Sequence, residues 1–532
     1  VLKSSSSLSL LKASVVGIVV GGVGIGVAEL IAGFSRNLRS PIFDVGDRVV
    51  DNVPGWLKDL AIEWFGTNDK IALLAGIGFT LLIYSALVGI VTFRRGTKLG
   101  IAGVSIFSII GSISALTARG DSSWWMIVPS VIGGLTGIFA LLLIYKLLNP
   151  QQSTVESKTI DKNSQQSEIK AEDNTGRVNA HSRRKFLLTI GGFAFIAASA
   201  GATGRWLNGR FSAAKSRAEV LLPLAKNPLP KPPVGIETVG ATPFFTPNDD
   251  FYKIDIALTV PQIPVDTWNL RVHGMVDKEI NLSFDDLLKR DLVESDITLT
   301  CVSNVVGGEL VGTARWLGIR LDDLLEEAGI NPAADQIVGR SVDGYTCGFP
   351  VETLDGRDAL VAVGMNGEAL PLDHGFPARL IVPGLYGYIS ATKWLTEIEL
   401  TTFDAFDQYW VPQYADRAPI KIQSRIDSLQ GLQRIKEGET VIGGVAWAQP
   451  IGIEEVEIQI DEEPWVNADL AEELNTTTWR QWTFPWNASS GRHTITVRAK
   501  DRNGAIQTDE RSEPLPDGAT GLHKIVVLVD AV

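Results

Sequence analysis

The chain holds two cysteines in 532 residues, Cys301 and Cys347. A thiol is the softest metal ligand a protein owns. Cys301 closes an apolar, β-branched run, 297–301, and opens a loop that contains Gly307 and Gly308. A strand that delivers a thiolate into a loop is a place to hold a soft metal. A lone cysteine is otherwise a small buried hydrophobe, so its flanks must decide. A Cys301–Cys347 bridge is a third reading, and it competes with metal binding because a bridged sulfur is no longer a thiolate. Cys347 has no motif around it and reads as a buried free thiol.

The rest of the chain sets where such a thiol works. The runs 13–34, 71–93, 99–117 and 125–145 are each long enough to cross a bilayer, which takes about 20 helical residues. Only the first holds a charge, Glu29, five residues from its end, where a side chain snorkels to the interface. Arg94, Arg95 and Lys98 crowd the short second loop, which places that loop in the cytoplasm. The N-terminus is then inside, 35–70 outside, and the chain after Tyr145 inside. Trp56, Leu57, Leu60, Ile62, Trp64 and Phe65 among charges predict an interfacial amphipathic helix. Residues 149–181 are polar and read as a cytoplasmic linker. Ser182-Arg183-Arg184-Lys185-Phe186-Leu187 and the apolar run 186–204 match the twin-arginine export pattern, with 182–205 kept as a fifth span. The reading is therefore a multi-pass cell-membrane protein whose chain after about 205 lies on the extracytoplasmic side. No histidine precedes His181, so residues 1–148 hold no bis-histidine haem. The net charge of −13 makes nucleic acid an unsuitable partner. Mean hydropathy is slightly positive, +0.13, because of the first 205 residues.

Residues 206–250 form a proline-rich lead-in (Pro223, Pro228, Pro230, Pro232, Pro233). Over 251–417, short β-rich runs alternate with helical spacing at 284–288 and 321–328, the latter ended by Gly329, which predicts α+β. Runs 380–383 and 398–402 read as strands. Over 418–532 the pattern is all β, with strands at 440–447, 453–460, 479–486 and 493–499, and predicts an immunoglobulin-like sandwich.

Five segments, in order, carry a family resemblance: TPNDDFYKID (246–255), TLTCVSN (298–304) with GTARWLGIRLDDLLEEAG, SVDGY (341–345), MNGEALPLDHGFPARLIVPGLYGYISATKW (365–394), and GGVAWAQPIGIEEVEIQIDEEPWVNADL near the C-terminus. Over about 290 residues of the exported half, the chain resembles the sulfite oxidase family of molybdopterin enzymes, in a membrane-anchored bacterial form. The resemblance implies a sulfite-oxidase-like molybdopterin domain and an immunoglobulin-like domain of the dimerisation type. It implies a molybdopterin cofactor whose molybdenum is held by Cys301 and the pterin dithiolene, and oxygen-atom transfer to or from a small sulfur-containing or oxide substrate. It places His374, Arg379 and Lys393 as donors to the cofactor's phosphate, with Asn248, Tyr252, Lys253, Ser341, Ala391 and Thr392 near the cofactor. Tyr386 and Tyr388 are candidate pocket donors, or aromatics that support the backbone. A homodimer through the C-terminal domain is the corresponding expectation.

The chain departs from the sulfite oxidases proper. Cys301 is followed by Val302-Ser303-Asn304-Val305-Val306, and the first loop reads Tyr252-Lys253-Ile254-Asp255. The arginines that bind sulfite are missing from both places; Lys253 and Arg315 are the candidate substitutes. A sulfoxide or another S- or N-oxide, such as methionine sulfoxide in proteins, therefore competes as substrate. No Cys-x-x-Cys-His haem site is present, so electrons pass through a separate cytochrome or quinone-linked partner. A surface binding protein that kept the fold is the non-enzyme alternative.

Overall fold

A computed structural model describes residues 9–54, 57, 60, 64–65, 69–119, 123–148, 174–405 and 414–531. The chain divides into two compact units, 1–211 and 212–532.

The first unit is helical: α1 (Leu10–Ala32), α2 (Pro41–Asn52), α3 (Asp69–Arg95), α4 (Thr97–Leu116), α5 (Val128–Leu148) and α6 (Asn174–Gly209). Among the described residues, five helical stretches are long and apolar enough to cross a membrane: α1, α3, α4, the 124–148 segment and the stretch beginning at Arg184. Glycines let the helices touch backbone to backbone. A Cβ on Gly17 would lie 1.9 Å from the Ser85 carbonyl, and one on Gly26 would lie 2.4 Å from that of Ala197, the small-residue packing that apolar helices use in lipid. Glu29 is capped: it accepts the hydroxyl of Ser40, the N-cap of α2. The predicted linker, over 149–173, and most of the predicted interfacial helix lie outside the described residues. Residues 174–181 are helical and continue into the fifth apolar stretch, because no proline interrupts the chain there.

The second unit opens with α7 (Ala213–Glu219). Its α+β part holds β1 (Asn269–Gly274), β2 (Ile280–Ser283), α8 (Phe284–Leu288), β3 (Val293–Thr300), β4 (Val311–Arg320), α9 (Leu321–Ala328), β5 (Gln336–Ser341), β6 (Thr346–Pro350), β7 (Leu360–Met365), β8 (Glu368–Ala369), β9 (Arg379–Ile381), α10 (Gly387–Ser390) and β10 (Leu395–Thr401). One sheet runs β2-β1-β10-β5-β6. The other runs β3-β4-β7-β8, with β9 also on β7. In these two sheets, among the described residues, β1 and β10 are the one parallel pair. Strands of the second sheet are buried on both faces, so β7 reads as an unbroken apolar run, LVAVGM.

The C-terminal part is β-rich: β11 (Gln423–Ile426), β12 (Arg434–Lys436), β13 (Gly438–Trp447), β14 (Ile453–Ile460), β15 (Val466–Asn467), β16 (Asp469–Leu470), β17 (Arg480–Ala488), β18 (Gly491–Asp501) and β19 (His523–Asp530). They form two sheets, β11-β13-β17-β16 and β12-β19-β18-β14-β15. Ile442 and Trp482 from one share a core with Val456, Val497 and Val527 from the other. Val445, Trp447 and Trp479 belong instead to the main core of the α+β part, so the two parts are fused.

Candidate active site

Cys301 sits one residue past β3. Its N–H donates to the Leu310 carbonyl at 2.9 Å, which extends the β3–β4 ladder by one pair beyond Thr300 and Val311. Asn304 closes the loop between them: its N–H donates to the Cys301 carbonyl at 3.1 Å, and its Oδ1 accepts from the Leu310 N–H at 2.9 Å. Gly307 has φ +76°, and a Cβ there would lie 2.4 Å from the His523 ring, so this position needs glycine on both counts. Burial pushes the Cys301 thiol up, while the N–H and hydroxyl of Ser303 favour the thiolate. Both cysteines are buried free thiols, so the Cys301–Cys347 bridge is not formed. Cys347 lies on β6 within 3.3 Å of the Ile389 carbonyl and 2.8 Å of Thr392 Oγ1.

Arg379 opens β9 and is 6% exposed. Nη1 donates to the His374 carbonyl at 3.0 Å and Nη2 to that of Ala391 at 3.2 Å. The guanidinium carbon stands 5.2 Å from the Trp316 ring centroid. Nε is buried without an acceptor, and no carboxylate pairs with the side chain among the described residues. The surface ion pair that usually explains an arginine is thus absent. Burial holds its pKa down to about 10.

His374 lies in a turn ended by Gly375, which has φ +107° and where an added Cβ would lie 3.0 Å from Lys393 Cα. Nε2 donates to the Asn248 carbonyl at 2.9 Å, which leaves Nδ1 as the acceptor nitrogen. Burial, with Arg379 adding to it, pushes its pKa down to about 4. Lys393 donates to Asp255 at 2.6 Å and to the Asp373 carbonyl at 3.0 Å. Asn248 donates to Glu368 at 2.6 Å and accepts from Asn366 at 2.9 Å. Tyr252 connects the halves of the site. Its phenol is raised by burial and then by Cys301, and Arg379 opposes both. Among the described residues, its hydroxyl has no hydrogen-bond partner.

Other expected residues are placed differently. Lys253 pairs with Asp373 at 2.6 Å, and Arg315 grips Asp296 with two bonds of 2.8 Å, so each of these cations faces a carboxylate. Ser341 ends β5, and its hydroxyl accepts from the Asp343 N–H at 3.4 Å. Tyr388 donates its hydroxyl to the Ala415 carbonyl, so in this arrangement it supports backbone. The Tyr386 hydroxyl lies 3.5 Å from the Lys421 N–H and against Gly518, where a Cβ would lie 2.4 Å away. Tyr345 was visible only as the end of SVDGY. It donates to the Tyr388 carbonyl at 2.7 Å, and burial, with both cysteines adding, raises its phenol well above the ordinary value. Trp316 had no sequence signal beyond its place in a strand.

These residues fit a large anionic cofactor with a soft metal. No cluster of three or more His, Cys, Asp or Glu among the described residues could hold a metal ion. A metal at Cys301 therefore needs ligands from a bound group. Arg379 is a buried cation lacking its anion, with an orphan Nε, as a phosphate donor would be.

Residues 257–410 match the family described as the oxidoreductase molybdopterin binding domain. The chain is 28% identical over 316 residues to the mitochondrial sulfite oxidase of Rattus norvegicus, covering 50% of this chain and 58% of that protein. It is 36% identical over 134 residues to the uncharacterized oxidoreductase YuiH of Bacillus subtilis, covering 25% of this chain and 65% of that one. Among solved structures, the sulfane dehydrogenase SoxCD of Paracoccus pantotrophus aligns with a TM-score of 0.47 at 21% identity, over 55% of this chain and 85% of that one. Residues 257–410 are thus an oxidoreductase molybdopterin-binding domain related to the sulfite oxidases, and the cofactor such a domain takes is a molybdopterin carrying molybdenum.

Proposed function

We propose that this chain is a membrane-anchored, exported oxidoreductase that carries out two-electron oxygen-atom transfer, with Cys301 as the protein's ligand to molybdenum. Arg379 carries the proposal: it is a buried guanidinium with no carboxylate partner among the described residues, within electrostatic reach of the Tyr252 phenol, which also senses Cys301. In this reading Arg379 meets the cofactor's phosphate. His374 and Lys393 fix the Asn248 and Asp255 segments against it. Ser341, Ala391 and Thr392 shape the pterin side, and Tyr386 and Tyr388 hold the segment between. The cofactor, when bound, supplies a metal centre that exchanges two electrons and one oxygen atom with substrate. Cys301 gives up its proton as the metal binds.

A neutral S- or N-oxide suits the site better than sulfite, because Lys253 and Arg315 are already paired with Asp373 and Asp296. A sulfoxide would take two electrons and two protons and leave as thioether and water, the electrons coming from a separate membrane or soluble partner. The five helical stretches among the described residues that are long and apolar enough to cross a membrane support the anchor, and the Ser182–Leu187 motif supports export of a folded, loaded domain.

The test is elemental analysis of chain made in molybdenum-replete cells, followed by turnover with sulfite and with methionine sulfoxide. Absence of molybdenum sinks the enzyme reading and leaves the binding-protein alternative; faster sulfite oxidation than sulfoxide reduction overturns the substrate choice. Cys301→Ser keeps its pterin and loses turnover; wild-type turnover in that variant refutes the ligand assignment.

A further inference from the structure

We infer that Ser303 and Tyr414 form a hydroxyl relay that orients and tunes the Cys301 sulfur, the phenol donating to the serine and the serine to the thiolate. The inference rests on the reading of Cys301 as the metal's ligand above.

The first observation is the turn that follows the thiol. The Asn304 N–H donates to the Cys301 carbonyl at 3.1 Å, which closes residues 301–304 into a turn. A short side chain at the first position of such a turn reaches the N–H two residues on. The N–H and the hydroxyl of Ser303 are accordingly both hydrogen-bonded to the Cys301 sulfur. A serine hydroxyl has one proton and two lone pairs. Giving its proton to sulfur leaves it able to accept from a second partner.

The second observation is that partner. The Tyr414 hydroxyl lies 3.2 Å from Ser303 Oγ, brought there from 111 residues along the chain. Its ring is tilted against that of Tyr388, with centroids 5.2 Å apart. Tyr388 is itself held at both ends. Its hydroxyl donates to the Ala415 carbonyl, and its carbonyl accepts from Tyr345 at 2.7 Å. The Ala415 N–H donates to the Pro516 carbonyl at 2.9 Å. The phenol therefore reaches Ser303 from a ring pair and a backbone segment that are both tied down.

The direction of the relay follows from what a thiolate can do. Taken alone, either oxygen of the Ser303–Tyr414 pair can donate. A metal-bound cysteine is a thiolate, which only accepts. The serine proton then goes to sulfur, and the phenol proton goes to Ser303 Oγ. Hydrogen bonds to a metal-bound sulfur withdraw electron density from it and raise the centre's reduction potential. Ser303 and Tyr414 are thus positioning residues that act through Cys301. A brace that only tied residue 414 to the loop would leave the potential alone.

The test compares the full molybdenum-loaded chain with Ser303→Ala, Ser303→Thr, Tyr414→Phe and Ser303→Ala/Tyr414→Phe, with molybdenum content measured on every sample. One readout is the sulfur-to-molybdenum charge-transfer band, identified as the band that Cys301→Ser removes. The other is the molybdenum potential from a redox titration. Ser303→Ala should move the band to longer wavelength and shift the oxidised-to-reduced ratio roughly tenfold towards the oxidised metal, about 30 mV for a two-electron couple. Tyr414→Phe should move both in the same direction by less, and should add nothing in the Ser303→Ala background. Ser303→Thr keeps the hydroxyl and should restore the wild-type band and potential. An unchanged band and potential in Ser303→Ala overturns the inference, even where molybdenum content falls, because that result marks a structural brace. Additive shifts in the double variant overturn the relay from Tyr414. Where Ser303→Ala holds no molybdenum, Tyr414→Phe decides by the same two readouts. A spectrum that Cys301→Ser leaves intact, or a wild-type chain without molybdenum, overturns the ligand reading and the inference with it.

Discussion

Replacing Arg379 with Met separates a ligand-binding cation from a structural one. The guanidinium is buried, and its pKa is held down to about 10 from an ordinary 12.5. At about 1.4 kcal/mol per unit, the folded chain spends about 3 kcal/mol to keep this charge. The side chain returns two hydrogen bonds, to the His374 and Ala391 carbonyls. Losing them costs about 1 to 1.5 kcal/mol each. Met has similar length and keeps the packing on Trp316. The two effects offset, so cofactor-free Arg379→Met should unfold within a few degrees of cofactor-free wild type, since 1 kcal/mol moves the midpoint of a unit this size by about 2–4 °C. Cofactor retention should fall steeply, because a hydrogen bond to a charged group contributes about 1.5–3 kcal/mol, roughly 10- to 150-fold in affinity. Arg379→Lys keeps the charge and loses the fork, so it should retain an intermediate amount. Thermal unfolding by tryptophan fluorescence and assay of released pterin measure both. A variant that unfolds more than about 10 °C early yet retains wild-type pterin would show that Arg379 is structural and refute the reasoning.

Three further outcomes follow from the same geometry. Lys393→Gln takes the lysine from Asp255, whose side chain is 11% exposed; breaking a buried pair from one side costs about 3–5 kcal/mol, and Lys393→Gln/Asp255→Asn together should recover most of it in chemical denaturation. His374 is neutral in the fold, with its pKa down at about 4 from 6.5. The unfolded chain therefore binds the extra proton first, so stability is full above pH 6.5 and falls as pH drops from 6.5 towards 4. His374→Asn should flatten that part of the stability–pH curve, and an unchanged slope would show that another group titrates there. Gly307→Ala meets both a positive φ and the His523 ring; the expected result is lower molybdenum content with pterin retained, read by elemental and pterin assays on one sample.

How much was legible depended on how local each signal is. The helix Leu321–Ala328 shows in sequence because its apolar spacing and the Gly329 stop, at φ +72°, are neighbours in the chain. α8 is equally local, since Ser283 and Asp286 cap it reciprocally. The apolar stretches were visible within a few residues, but α6 begins at Asn174, where polar composition had suggested a linker. Cys301 stood out through scarcity, and Arg379 through a charge set inside an apolar run. What stayed hidden is contact at long range: Arg315 facing Asp296 across β3 and β4, Lys253 meeting Asp373, and Tyr388 committed to Ala415. Residue type made Lys253 and Arg315 look available; only the fold shows their carboxylates.

The same distinction explains why the C-terminal β-rich part is a working piece of the site. β3, which presents Cys301, is an edge strand of its sheet, and an uncovered edge exposes unpaired backbone groups. The segment before β17 and the β13–β14 connection cover it: the Thr298 N–H donates to the Thr477 carbonyl at 3.0 Å, Asn475 donates to the Asp296 carbonyl at 3.0 Å, and Gln449 donates to the Thr298 carbonyl at 2.9 Å. The loop that follows Cys301 is held from the same side. Arg425 on β11 donates to the Gly308 carbonyl at 2.9 Å. His523 accepts the Ile426 N–H on Nδ1 at 3.0 Å, which fixes its tautomer and sets its ring against Gly307. Burial, with Arg425 adding to it, keeps that imidazole below its ordinary pKa, so the ring stays neutral beside the loop. In the proposed role of metal ligand, Cys301 must be held to a fraction of an ångström to set its centre's reactivity. Here the thiol's strand edge, its hairpin ladder and its loop are each fixed by a different part of the chain, and two of the three come from beyond residue 418.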